Sequence, residues 1–132
     1  METAVFRIEE NPVHLGLGAK VLVQEPFTDM SWYERYSERT ASDGIEGRLV
    51  SVYRFSESWD SWEMHPEGEE LVYCMAGEIT LHQELPDGTK TVTLRAGDAI
   101  VNPAGVWHTA DVSGEATVFF ITAGVGTQHK SR

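Results

Sequence analysis

"WEMHPEGEELVYCMAG", residues 62–77, sets one histidine, four carboxylates and two glycines around the start of an apolar run. Side chains two apart on a strand share a face, and the residue before a proline is pushed to extended backbone. Glu63 and His65 therefore point the same way when 62–65 is extended. "HPEG" then suits a tight turn, with Pro66 at its second position and Gly68 at its fourth. On the outgoing strand Glu70, Val72, Cys74 and Ala76 share a face, and the three that follow the carboxylate are small and apolar. A carboxylate at the head of such a row lies at the mouth of an apolar cavity or inside it. That placement needs a partner charge.

Outward from this stretch, glycine and proline punctuate the chain at short intervals, and the pieces between are rich in Val, Ile, Thr, Tyr and Phe. That rhythm predicts an all-β sandwich or barrel. The expected strands are 47–55, 69–76, 78–85, 90–95, 98–102, 106–112 and 116–123, with 19–27 as a further candidate. "LPDG" at 85–88 and "NPAG" at 102–105 read as tight turns, the first joining two antiparallel strands. One helix is expected, "TDMSWYERYSERT" at 28–40, opened by Thr28 or Asp29 and polar enough to lie on the surface. The 132 residues suit a single domain, divided into a β core at about 45–124 and an N-terminal extension, 1–44.

Ten Lys plus Arg against 21 Asp plus Glu give a net charge of −11, with no basic cluster. Nucleic acid and anionic membranes are therefore not expected partners, because both need basic surface. No basic n-region with an apolar h-region opens the chain, and no run reaches the length of a spanning helix. The expected compartment is the cytoplasm. Cys74 is the single cysteine, so a metal would have to use His, Asp and Glu.

The partner for Glu70 is offered by a second stretch, "GDAIVNPAGVWH" at 97–108, where His108 opens a strand after the "NPAG" turn. Either histidine alone reads as an ordinary core or surface residue. Together the two stretches resemble the paired motifs of the cupin superfamily. The first match is Glu63-x-His65, four residues, Glu70, six residues, Gly77; the second is Gly97, five residues, Pro103-x-Gly105, two residues, His108. Three positions depart from the family pattern: Ser58 stands for the leading glycine, Glu63 for the first histidine and Val112 for the closing asparagine.

The resemblance implies a small jelly-roll β-barrel holding a divalent metal on the residues at the ligand positions, Glu63, His65, Glu70 and His108. Two imidazoles and a carboxylate are the ligand set of non-haem iron sites. Fe(II) or Mn(II) is favoured, with Zn(II) or Ni(II) as alternatives. Glu63 is either a further ligand or a general base beside the metal. The function implied is a metal-dependent cupin acting on a small molecule as an oxygenase, decarboxylase or isomerase, or else a non-catalytic cupin that binds or senses one. Exposed strand edges favour a homodimer, with Leu71, Tyr73 and Met75 as an apolar outer stripe.

The remaining candidates read more plainly. His14, His82 and His129 are expected to face solvent, with only His129 placed to fold back over the barrel mouth. Glu67 and Glu69 form a solvated turn. Trp59, Trp62 and Trp107 flank the site as packing residues, and Cys74 reads as a small core residue whose thiol burial keeps protonated. Tyr53 and Phe55 are candidate pocket lining.

Overall fold

A computed structural model describes residues 4–132. It is mostly antiparallel β-sheet with one short α-helix. The strands are β1 (Val13–Gly16), β2 (Lys20–Val23), β3 (Arg48–Phe55), β4 (Ser61–Met64), β5 (Glu70–Leu85), β6 (Gly88–Arg95), β7 (Ala99–Asn102), β8 (His108–Asp111), β9 (Ala116–Thr122) and β10 (Gln128–Ser131). The helix α1 (Ser31–Thr40) runs into a 3-10 segment, Ala41–Glu46.

Everything is organised on β5. The sequence splits this region into strands at 69–76 and 78–85, but the backbone runs through as one strand that joins two sheets. Its first half pairs with β7 and β9, its second half with β6 and β8. A register shift between Cys74 and Ala76 separates the halves. Before it the buried residues are Glu70, Val72 and Cys74; after it they are Ile79, Leu81 and Gln83. One inserted residue has changed the inward face from even to odd positions. Ala76, expected on the inner face with Cys74, is consequently exposed.

Gly77 fixes this joint. Its φ is +74°, and a Cβ placed there would come 2.0 Å from the Glu115 carbonyl oxygen, so no side chain fits. The core beneath is made by Val72, Cys74, Ile79, Leu81, Leu94, Ala110, Val112, Ala116, Val118 and Phe120. Each fully buried Ile or Leu contributes about 1.5–3 kcal/mol.

The N-terminal segment joins the same sheet, β1 pairing with both β2 and β3. The candidate strand at 19–27 shortens to β2, which is exposed along its length. The helix begins three residues later than expected, although Asp29 does turn back to accept bonds from the Ser31 amide and hydroxyl. It is more than a surface helix. Trp32 is completely buried and donates its indole N–H to the Glu25 carbonyl, with Phe27 and Tyr36 packed against its ring.

The histidines away from the site also depart from expectation. His14 is 1% exposed. Its Nε2 lies 2.6 Å from Asp43 and its Nδ1 2.6 Å from the Tyr36 hydroxyl, so the ring finds in the 3-10 segment and α1 the partners that a buried imidazole needs. His82 likewise sits between Thr91 and Asp111 rather than in open solvent.

Candidate metal centre

The four sequence-selected residues arrive from three strands and a turn. Glu63 is on β4, and His65 follows it just before the "HPEG" turn. Glu70 opens β5 and His108 opens β8. In the sheet Glu63 is paired directly with His108 on one side and with His129 of β10 on the other. Gln83 lies opposite His108 on the next strand, so His129, Glu63, His108 and Gln83 form one cross-strand row on a common face.

His65, Glu70 and His108 are all buried, at 5%, 3% and 1% exposure. Glu63, His65 and His108 offer ligand atoms within 4.8 Å of one another. Glu70 stands beside both imidazoles: its Oε2 is 3.2 Å from His65 Nε2 and its Oε1 3.3 Å from His108 Nε2. Glu63 Oε2 is 3.7 Å from His108 Nε2. Despite these short separations, neither Nε2 makes an aligned hydrogen bond, and both are buried. Such atoms are rare in native interiors unless something is meant to occupy the space between them.

The carboxylates are held from behind. Asn102 Nδ2 donates to Glu70 Oε1 at 3.0 Å, and Thr122 Oγ1 donates to Oε2 at 2.6 Å. Gln83 in turn donates to Asn102 Oδ1 at 2.7 Å. His129 Nε2 is 3.0 Å from Glu63 Oε1, and Thr127 Oγ1 is 2.7 Å from His65 Nδ1. His129, expected to face solvent, is half exposed, and its ring also folds back onto Glu63, the alternative open to it alone of His14, His82 and His129. Gly105, at φ +76°, aims its amide at the His65 carbonyl, 2.9 Å away, so the "NPAG" turn that leads to His108 is tied to the first stretch.

Electrostatics at this point call for positive charge. Burial alone would raise the Glu63 carboxyl, but the facing His108 and His65 rings and the His129 bond outweigh it and hold the group below its usual range. Burial alone would lower His65, but the Glu70 carboxylate beside it, with Glu63 behind, pushes it up. Two imidazole nitrogens without partners, facing two carboxylates, suit a divalent cation. Around them the walls are aromatic. Trp59 packs against His108 with ring centroids 6.2 Å apart, and Phe55, Tyr53 and Phe120 continue the surface. Tyr33 of α1 reaches in so that its hydroxyl contacts that of Tyr53. The Trp59 indole N–H is buried and has no partner.

Thr122, Asn102, Gln83 and Thr127 were not selected from the sequence. Asn102 was visible only as the first residue of a turn, and Gln83 only as a polar residue on a strand. Trp62 and Trp107, read as packing residues, enclose the Lys130 ammonium, which lies 5.6 Å and 4.6 Å from their ring centroids. Glu67 and Glu69 are exposed, as a solvated turn requires, and Cys74 is buried with its thiol pushed up, first of all by burial.

An all-β chain whose two sheets share one long strand, with imidazoles and carboxylates gathered in its interior, is the architecture of a cupin. Residues 54–124 match the cupin domain family, and the chain belongs to it. No curated protein matches the chain. Among solved structures, an oxalate oxidase in complex with the substrate analogue glycolate is 19% identical with a TM-score of 0.57; the match covers 70% of this chain and 50% of that one. A cupin-2 domain-containing protein from Shewanella frigidimarina is 23% identical, covering 57% and 69%, with a TM-score of 0.49. Hydroquinone 1,2-dioxygenase from Sphingomonas sp. TTNP3, with 4-hydroxybenzoate bound, is 18% identical, covering 57% and 59%, with a TM-score of 0.49. This chain thus spans half to about two thirds of the length of these structures. The likeness to the first is one of fold.

Proposed function

We propose that this protein is a metal-dependent cupin enzyme that acts on a small organic molecule inside a jelly-roll barrel closed by its two sheets. The observation that carries the reading is the pair of buried, unpartnered Nε2 atoms of His65 and His108 facing the carboxylates of Glu63 and Glu70. His65, His108, Glu70 and Glu63 would hold the ion. Two carboxylates offset its charge in a buried setting and favour Fe(II) or Mn(II) over softer ions. A divalent ion supplies Lewis-acid polarisation of a substrate oxygen, or a site for dioxygen.

The chain's own groups do the rest. Asn102 and Thr122 occupy one lone pair on each Glu70 oxygen and leave the carboxylate no freedom to swing. Phe55, Trp59 and Phe120 exclude water and give the substrate an apolar wall, while the Trp59 indole N–H is a donor that a substrate oxygen would satisfy. No Arg or Lys lies among these groups, which favours neutral or weakly charged substrates over phosphorylated ones. The acidic charge and single cysteine fit a cytoplasmic protein that binds neither nucleic acid nor membrane; among the described residues no helix is long and apolar enough to cross a membrane.

The test is a turnover screen of the Fe(II)- and Mn(II)-loaded protein, under air and without oxygen, on small phenols, keto acids and hydroxy acids, alongside thermal-shift binding of the same compounds. Metal-dependent turnover of at least one class is the expected result. Compounds that bind in a metal-dependent way but are never converted would instead make the protein a non-catalytic small-molecule binder.

A further inference from the structure

The cupin match ends at residue 124, yet the residues after it are built into the site. Thr127 and His129 are two apart and share an inward face, whereas Gln128 and Lys130 face away. β10 lies antiparallel to β4 with His129 opposite Glu63. It is pinned at its end by Arg132, whose Nη1 donates to the Trp59 and Ala110 carbonyls at 2.9 and 3.0 Å and whose Nη2 lies 2.6 Å from Asp111. Lys130, between the two indoles, also pairs with Glu84 at 3.1 Å. So polar a strand would not hold its place without such anchors.

Both inward side chains end on a proposed ligand. Thr127 Oγ1 lies 2.7 Å from His65 Nδ1 and donates its proton to the Gly124 carbonyl at 2.8 Å. A hydroxyl has one proton to give, so toward His65 the oxygen is an acceptor and Nδ1 carries the hydrogen. In the neutral ring this leaves the lone pair on Nε2, the atom that faces Glu70. His129 Nε2, in turn, binds Glu63 Oε1 and leaves Oε2 directed toward His108.

We infer that residues 124–131 are a positioning element for the metal site, in which Thr127 fixes the tautomer of His65 and His129 aims the Glu63 carboxylate. This rests on the reading of Glu63, His65, Glu70 and His108 as metal-binding residues. Partners standing behind ligands are typically worth roughly 10–100-fold in metal affinity. Thr127 is only partly buried and His129 is exposed on an edge strand, so their replacement leaves the core intact.

The experiment is calorimetric titration of Mn(II) into the metal-free full chain, with the electron paramagnetic resonance line shape of the bound ion, for wild type, Thr127→Val, Thr127→Ser, His129→Ala and His129→Gln. Thr127→Val and His129→Ala should each weaken Mn(II) by roughly 10–100-fold and alter the line shape. Thr127→Ser and His129→Gln, which keep the hydroxyl oxygen and an N–H donor, should restore most of both. In metal-free protein, at a pH high enough that the ring is neutral, the imidazole nitrogen spectrum should show His65 protonated at Nδ1 in wild type and divided between its nitrogens in Thr127→Val. Wild-type affinity and line shape in both Thr127→Val and His129→Ala would overturn the inference while leaving the metal site standing. No Mn(II) uptake by wild type would remove the site and the inference together.

Discussion

Glu63 is the residue at which this chain leaves the usual cupin ligand pattern, and of the two roles open to it we propose that of ligand. One carboxylate oxygen is taken by His129 and the other is turned toward His108, an arrangement that suits a ligand held from behind better than a base awaiting a proton. Glu63→Gln keeps the shape and removes the charge. We expect it to weaken metal binding by about ten-fold or more, since a ligating carboxylate supplies both a bond and charge compensation. Retained metal affinity with lost turnover would make Glu63 the base instead. The same scale shows why part of the site was legible in the sequence. Glu63, His65, Glu70 and His108 lie within two short stretches with fixed spacing, whereas Thr122 and Asn102 reach Glu70 only because their strands pair with β5, and Gln83 reaches it only through Asn102.

At the scale of elements, β5 carries the fold because its joint at Gly77 lets one strand serve two sheets. Gly77→Ala would force a side chain into a left-handed conformation and into the Glu115 carbonyl. We expect a loss of at least about 2 kcal/mol in chemical denaturation; an unchanged midpoint would show that the backbone there relaxes freely. The C-terminal strand has an electrostatic anchor of its own. His82 bonds Asp111, and Arg132 adds a second bond and its charge, which together hold the Asp111 carboxyl below its usual range. A carboxylate lowered in the folded state adds stability above its unfolded pKa and loses it as the pH falls through the folded value. Asp111→Asn should therefore lower the melting temperature at pH 7 and leave it unchanged at a pH below the carboxylate range. Equal losses at both would assign the effect to packing rather than charge.

Strand legibility follows the same physics. β3, β6 and β9 carry alternating or continuous apolar residues and were found within a residue or two, while β10 reads "QHKS" and is exposed throughout, so no periodicity marks it. β1 was missed because its buried histidine depends on Asp43 and Tyr36, neither of them near in sequence. The register shift near Met75 was equally invisible, because its cause is the pairing with β9.

For the whole molecule, the outer stripe foreseen on β5 is present: Leu71, Tyr73 and Met75 are 36%, 38% and 47% exposed, and Val101, opposite Leu71 on β7, is 47% exposed. Contiguous apolar residues on a sheet face favour a covering partner, and we expect a homodimer by light scattering at tens of micromolar; a clean monomer would contradict this. The metal centre in the interior is put to the test by elemental analysis of wild type, His65→Ala and His108→Ala, purified side by side, with the far-UV β signal recorded for each. One divalent ion per chain in wild type, none in either variant, and the same β signal in all three are expected. Unchanged metal content in both variants, or a wild-type protein that takes up no divalent ion when offered Fe(II) and Mn(II), would rule the site out.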